Sequence, residues 1–494
     1  MTTPDKKIAI VGAGVFGLST ALHLARNGYR DVTVYDYQPY DQNAYSPFDG
    51  CDAASADVNK IYRCSYGDET EYQDLAFSGR PIWLEWNAAI ASTPADKLPR
   101  GLTPSTKLFE DCGFMRISSD AVMSDYDKHC ISELEKVGLK HHQHVLTDVE
   151  DMERLWGKEG NWRPKVAAFA AFTEGKRDGF MDTSAGLTYA DKSCTWARYL
   201  CEKAGVKFVL GPLKGKFDQL VVDTSTGGKV VRGLKTADGK THPADVVIAA
   251  AGGWTPSIVP EVSGALETTA GSVVTIQLPS HRKDLWDKYS PKNFPVFAYG
   301  LTGHESPEYG GFYGFPRTPE GKIKIGYRGR KWTNYQSQAA TGRRLSVPKT
   351  KYTADPQVNL PLKAITNLKA VIAEMFPDLT AVGITDTRMC WYTDSIDNNF
   401  LIDYVPGYDD TLFVASGGSG HGFKFLPVLG KHVVNALEKK NDQFTPLWRW
   451  RTAKPGEHAN GLEEGEFGGR NLADLEMATE ADWKFPNTVE RSKL

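Results

Sequence analysis

Residues 8–17 read IAIVGAGVFG: an apolar run of strand type, three glycines at G-x-G-x-x-G spacing, then a stretch of helical composition to Arg26. Gly12 suits a tight turn, Gly14 lets the backbone approach a pyrophosphate, and Gly17 lets the helix pack closely on the strand. The helix start offers unpaired N–H groups and a positive dipole end to phosphates, so Gly12, Ala13, Gly14, Val15, Phe16 and Gly17 are candidate cofactor contacts. The helix stops at Asn27-Gly28, a glycine terminus signal. A second strand over 31–36 ends in Asp36, about 20 residues past the glycines, where a carboxylate holds an adenosine ribose. Glycine spacing alone is a weak signal. Strand, helix, second strand and acid in register predict a Rossmann-like dinucleotide site, without separating FAD from NAD.

A chain of 494 residues has room for two or three domains or one interleaved pair. Its hydrophobic content of 41% and charged content of 24% are globular values. A net charge of −3 leaves no polycation footprint, which argues against a nucleic-acid partner. No run of 18 apolar residues occurs, so no membrane span is expected, and the polar N-terminus running into the first strand leaves no room for a signal peptide. Seven scattered cysteines without a C-x-x-C pair fit a reduced intracellular protein with no metal site. The chain ends Ser492-Lys493-Leu494, a peroxisomal address read by the import receptor. That compartment houses oxidases that release hydrogen peroxide, so the ending leans towards a flavin oxidase.

Along the chain, the expected elements are a helix over 72–86, a hairpin region over 103–118, a helix over 119–137, and a helix capped at Asp182 or Thr183 and running to Ala204. The strand over 245–250 ends in Ala251-Gly252-Gly253-Trp254 and is expected to return to the first sheet, with Ala251, Gly252 and Trp254 at the cofactor. Strand patterns dominate 271–330, a helix covers 362–375, and strands cover 385–394, 400–403 and 411–416. The last is followed by Gly417-Gly418-Ser419-Gly420-His421-Gly422-Phe423-Lys424-Phe425 and a helix. This repeats the opening: apolar strand, glycine loop, helix. Two such loops far apart in sequence suit one large cofactor touched at both ends. The fold class is therefore α/β (α+β overall). A discontinuous FAD-binding domain (1–78, 183–265, 385–440) interleaves with an antiparallel or mixed-sheet substrate domain (79–182, 266–384), and 441–494 forms a C-terminal tail.

Five motifs carry a resemblance over nearly the whole chain: the first glycine motif with Asp36; Asp57-x-x-Lys60-Ile61-x-Arg63-x-x-Tyr66-Gly67; Ala251-Gly252-Gly253-Trp254; Cys390-x-Tyr392-Thr393-x-x-x-Asp397; and Gly420-His421-Gly422-Phe423-Lys424-Phe425. With them the chain resembles the sarcosine oxidase group of the D-amino-acid-oxidase flavoprotein superfamily. Asn59-Lys60-Ile61 is more similar to the fungal saccharopine and fructosyl amino acid oxidases than to bacterial sarcosine oxidase. Pipecolate oxidases, and amine oxidases that build isoquinoline products, are similar too.

The resemblance implies FAD, its ADP end on the first motif and its pyrimidine edge near Gly418, Gly420, His421, Gly422, Phe423 and Lys424. It implies an amino-acid-derived amine lying over the flavin, its carboxylate held by Arg63 and Lys424, and Lys60 beside the place where O2 is reduced. The residue types fit: a guanidinium is a two-pronged carboxylate donor, and cations stabilise reduced flavin and superoxide by Coulomb attraction. The resemblance implies that sarcosine and fructosyl amino acid oxidases link FAD through a cysteine in the strand around 322–327. Here 320–327 contains none, so non-covalent FAD is expected; Cys390 is read as a buried small apolar residue and only as the remote alternative tether. The expected reaction is oxidation of the C–N bond of a secondary amino acid by O2, giving imine and H2O2. The alternatives are a biosynthetic oxidase whose iminium cyclises, a dehydrogenase feeding a partner protein, and a non-enzymatic NAD-binding sensor.

Overall fold

The computed structural model describes residues 2–485 except 52, 226, 301–310, 339–341, 357–358 and 453–468; the Ser492-Lys493-Leu494 ending lies outside the described residues. Two sheets organise the molecule. The first has six strands in the order Leu401–Tyr404, Leu412–Ser416, Val246–Ala249, Ile8–Val11, Val32–Asp36 and Lys207–Leu210, parallel except for the first pair. Ile10 lies between Ile248 and Val34, and all four residues of its strand are buried. Such uniformly apolar runs belong to a sheet covered on both faces. Helices Val15–Arg26, Ala190–Lys203 and Leu429–Leu437 pack on one face. The hairpin sheet of Phe217–Asp223 and Val230–Thr236 contributes Val231 and Leu234 to the core on the other. The predicted return of the 245–250 strand is present, in parallel register with the opening strand.

The second sheet has eight strands, in the order Asp386–Ser395, Leu266–Gln277, Lys322–Trp332, Phe312–Gly314, Val296–Tyr299, Phe114–Ile117, Gly179–Asp182 and Gln143–Val145. Only Val296–Tyr299 and Phe114–Ile117 run parallel, so the sheet is mixed. Helix Leu362–Met375 appears with the bounds its 3.6-residue period predicts, burying Ile365, Leu368 and Ile372 against this sheet's core.

Three expectations fail here. The 103–118 region forms no hairpin: Phe109–Glu110 pairs with Gly186–Thr188, while Phe114–Ile117 joins the second sheet between Val296–Tyr299 and Gly179–Asp182. The predicted helix cap at Asp182 or Thr183 is instead the end of a buried strand, and the helix begins at Ala190. Asp182 spends its Oδ1 on the Ser184 N–H and hydroxyl, a turn bond that competes with capping. Strand Asp386–Ser395 pairs along ten residues with Leu266–Gln277 and so lies in the second sheet, not the first.

The two sheets are stitched beside the second glycine loop. Ser419 N–H donates to the Thr393 carbonyl (2.9 Å), the Ser395 N–H donates to Ser419 Oγ (3.0 Å), and Thr268 Oγ1 donates to the Gly253 carbonyl (2.6 Å). Among the described residues no helix is long and apolar enough to cross a membrane, and no group of three or more His, Cys, Asp or Glu side chains could hold a metal.

Candidate active site

The carboxyl ends of the parallel strands open into a cavity of about 970 Å³ between the two sheets, the place where open α/β sheets bind ligands. Of the predicted residues, Gly12, Gly14, Val15, Phe16, Asp36, Lys60, Arg63, Ala251, Gly252, Trp254, Gly418, Gly420, His421, Gly422, Phe423 and Lys424 line it. Ala13 and Gly17 do not; they shape it from behind. Ala13 N–H donates to Asp36 Oδ2 (2.8 Å) and its carbonyl accepts from Tyr45 (3.0 Å). A Cβ on Gly17 would stand 1.9 Å from the Gly12 carbonyl oxygen, so the close helix–strand contact needs glycine there. Gly12 has a φ of +109° and a Cβ there would meet the Ala250 carbonyl oxygen at 2.4 Å, so only glycine lets the loop pass the end of the paired strands beside Ala250. Burial raises the Asp36 carboxyl to about 6, against the N–H bonds from Ala13 and Gln38. Its oxygens retain lone pairs for a ribose hydroxyl.

The second loop departs from expectation in one respect. The segment after Gly422 is a single 3₁₀ turn, Phe423–Phe425, and the helix proper starts at Leu429. A long helix dipole is therefore not aimed at the cavity from this loop. Charge is supplied by side chains instead. Lys424 is buried, and its Nζ donates to Tyr66 Oη (2.6 Å) and the His421 carbonyl (2.7 Å). The Arg63 guanidinium lies 3.8 Å from the centroid of the same Tyr66 ring. It donates to the Ser65 carbonyl and to Tyr126 Oη (3.3 Å). Burial, then the Arg63 charge, lowers the Lys424 ammonium well below its ordinary range. His421 Nε2 faces the Asn398 carbonyl (3.0 Å) and its Nδ1 faces Tyr66 Oη (3.2 Å). The carbonyl assigns the proton to Nε2, leaving Nδ1 to accept from Tyr66. Burial and the Lys424 charge hold this imidazole neutral.

A second cluster surrounds Asp57. Lys60 Nζ stands 2.7 Å and Lys324 Nζ 2.9 Å from its Oδ2, with Arg388 at 3.8 Å from Oδ1. Burial opposes ionisation of Asp57, but Lys324, Lys60 and Arg388 together hold it well below the ordinary carboxylate range. Burial pushes Lys324 down to about 8 against the pull of Asp57. For Lys60 burial again pulls down, but Asp57 and Cys390 together outweigh it and raise the ammonium above its ordinary value.

Lys324, Arg328, Tyr313, Tyr392 and Cys390 also line the cavity; the motif around Cys390 and Tyr392 carries a sequence signal, whereas Lys324, Arg328 and Tyr313 read only as strand residues. The even spacing of Lys324 and Arg328, i and i+4, is the available signal that both face one side. Cys390 is buried, as expected, and also reaches the cavity. Its sulfur is 3.7 Å from Lys60 Nζ, and it is the one cysteine among the described lining residues.

These features fit a flavin dinucleotide: a glycine cradle and ribose acid at one end, a cationic wall at the other. Residues 7–436 match the FAD dependent oxidoreductase (DAO) family. The chain belongs to that family. As an FAD dependent oxidoreductase it is 28% identical over 463 residues to L-saccharopine oxidase of Schizosaccharomyces pombe, covering 90% of this chain and 93% of that one. It is 26% identical over 485 residues to amino acid oxidase imqH of Aspergillus flavus, covering 89% and 95%. Among solved structures it resembles fructosyl peptide oxidase from E. terrenum, with a TM-score of 0.74 at 26% identity, covering 97% of this chain and all of that one. The fold, the flavin class and the enzymatic nature of this DAO family member follow from the match.

Proposed function

We propose that the protein oxidises the C–N bond of a secondary amine carried by an amino acid, with O2 as acceptor and an imine and H2O2 as products. The observation that carries this reading is the convergence of Arg63 and Lys424 on Tyr66 in the wall of the FAD cavity. Among the described residues no carboxylate forms an ion pair with either. Two cations hydrogen-bonded to neutral groups, with the Glu69 charge acting on them only from beyond ion-pair distance, are a receptor for a carboxylate. When bound, FAD supplies the two-electron acceptor. The residues of this chain do the rest. Arg63 and Lys424 grip the substrate carboxylate and set the angle at which its amine enters. Neutral His421 keeps further positive charge away from an amine that must present its lone pair. Lys60 and Lys324 supply the charge that stabilises a reduced oxygen species, two ammoniums sharing the single counter-charge of Asp57.

Relatives named L-saccharopine oxidase and fructosyl peptide oxidase support a secondary amine over a primary one. Peroxide release during a screen of N-methyl amino acids, pipecolate, saccharopine and fructosyl amino acids tests the reading. A purified protein whose visible spectrum lacks flavin bands, or that releases no peroxide with any of these amines, defeats it.

We propose further that a thiol holds the FAD. The expectation of a non-covalent cofactor follows from the absence of cysteine in 320–327; Cys390, on the edge strand of the same sheet, lines the cavity, which supports it as the cysteinyl tether. Acid precipitation decides: colour retained in the pellet and lost in Cys390→Ser supports the link, and colour released into the supernatant returns the non-covalent form. We also propose peroxisomal delivery through Ser492-Lys493-Leu494 and the import receptor. A fluorescent fusion that loses punctate localisation when these three residues are removed supports it.

A further inference from the structure

The reactive end of the cavity holds one more cation than a simple N-methyl amino acid requires. Lys60 and Lys324 share Asp57. Arg116 pairs with Asp127 at 2.6 Å and Lys349 with Asp355 at 2.7 Å. Arg63 and Lys424 are committed to the substrate carboxylate. Arg328 is left over.

Its position is built, not incidental. Arg328 follows Lys324 by four residues on strand Lys322–Trp332, so both side chains leave the same face, into the cavity. A Cβ on Gly420 would stand 2.8–3.0 Å from its guanidinium atoms, so the loop next to the carboxylate grip is glycine where the guanidinium passes. Its Nη2 donates to the Ser419 carbonyl (3.1 Å) and its Cζ lies 5.6 Å from the centre of the Tyr392 ring. Both partners are neutral. Asp394 acts on it only at longer range and is itself joined to Lys331 at 3.0 Å. Arg328 passes Gly420, and the neighbouring His421 faces Tyr66, the ring under Arg63, so both guanidiniums line the cavity beside this loop.

We propose that Arg328 is a specificity-determining residue that holds a second acidic group on the substituent of the substrate nitrogen. The substrates are then N-(carboxyalkyl) amino acids, secondary amines with an acid on each side. A cavity with a half-buried guanidinium facing neutral groups gains from a carboxylate and loses when the substituent is a methyl group. Sites built around a charged hydrogen bond reject the analogue that lacks it far more strongly than a hydrophobic pocket rejects a missing methylene. This proposal rests on the amine-oxidase reading of the same site.

The test uses the holoenzyme with an N-methyl amino acid and the same amino acid carrying an N-(2-carboxyethyl) group. The expected kcat/KM ratio of diacid to monoacid is at least about 100. In Arg328→Gln that ratio falls at least tenfold, chiefly through KM for the diacid, and Arg328→Lys recovers part of it. A second readout needs no turnover. 2,2′-Thiodiacetate and (methylthio)acetate replace the amine by sulfur and cannot be oxidised at nitrogen. Their binding, followed by flavin difference spectra and equilibrium dialysis, is expected to favour the diacid in the wild type and lose that preference in Arg328→Gln. A wild type that prefers the monoacid, or an Arg328→Gln enzyme in which both substrates weaken equally and the ratio stands, overturns the proposal and reduces Arg328 to a pin for the Ser419 turn. If neither acid binds and no amine is oxidised, the amine-oxidase reading falls with it; if both acids bind alike while N-methyl amino acids are oxidised, only the role of Arg328 falls.

Discussion

Asp57 carries one negative charge and faces two ammoniums, at 2.7 and 2.9 Å. One carboxylate cannot fully offset two lysines, and the more deeply buried one, Lys324, gives way first, at about 8. Two effects of opposite sign follow. The kcat/KM for O2 is expected to fall as pH rises through about 8, because the charge that favours reduced oxygen is lost; stopped-flow reoxidation measured across neutral to alkaline pH checks it, and Lys324→Met should remove the step. Stability should move the other way. Between about 8 and the ordinary 10.5 the unfolded chain binds the proton that folded Lys324 has released, so stability rises with pH in that window. Denaturant midpoints at two alkaline pH values, compared with Lys324→Met, isolate this contribution. At the carboxylate grip, Arg63→Met removes a charge-assisted donor pair and is expected to raise the amine KM about 10- to 100-fold, with peroxide formed per amine consumed unchanged.

The glycine loops divide their labour among elements. Gly17 exists for contact between the first helix and first strand, whereas Gly28 ends that helix at a φ of +88° with open space around it. Gly17→Ala should therefore cost about 1–3 kcal/mol by overpacking and lower the FAD content of the purified protein. Gly28→Ala should cost about 1–2 kcal/mol through backbone strain alone and leave FAD content intact. Thermal unfolding and the ratio of flavin to protein absorbance separate the two. The strand Asp386–Ser395 shows why element boundaries were harder to read than elements. Its sequence identified a strand correctly, but its ten-residue pairing with Leu266–Gln277 puts it in the second sheet. From there it carries Cys390 and Tyr392 to the cavity and holds Ser419 through Thr393 and Ser395.

At the scale of the molecule, a chain of net charge −3 folds so that cations gather at the reactive end of its cavity. An acidic substrate is drawn into that field, so kcat/KM for an amino-acid-derived amine should fall several-fold as ionic strength rises from well below to well above 0.1 M, where the screening length is about 10 Å. Stopped-flow flavin reduction at constant pH checks this, and a rate independent of salt would show that the internal charges do not steer entry. The parts legible in advance were those written by neighbours in the chain. Gly12, Gly14, Gly17 and Asp36, in register with the strands and helix around them, announce the strand–turn–helix that the structure shows, and the 3.6-residue period of Leu362–Met375 announces a helix. Lys60, Arg63 and Lys424 were placed by motif resemblance, and all three line the cavity. The pairing of Phe114–Ile117 with strands more than 60 residues away, the sharing of Asp57 by Lys60 and Lys324, and the arrival of Arg328 at the same cavity left no local trace. Local sequence determines backbone conformation through propensities and short-range sterics. Which distant charges end up sharing a counter-ion, and which thiol lines the cavity, is decided only when two sheets pack and burial makes each unpaired charge costly.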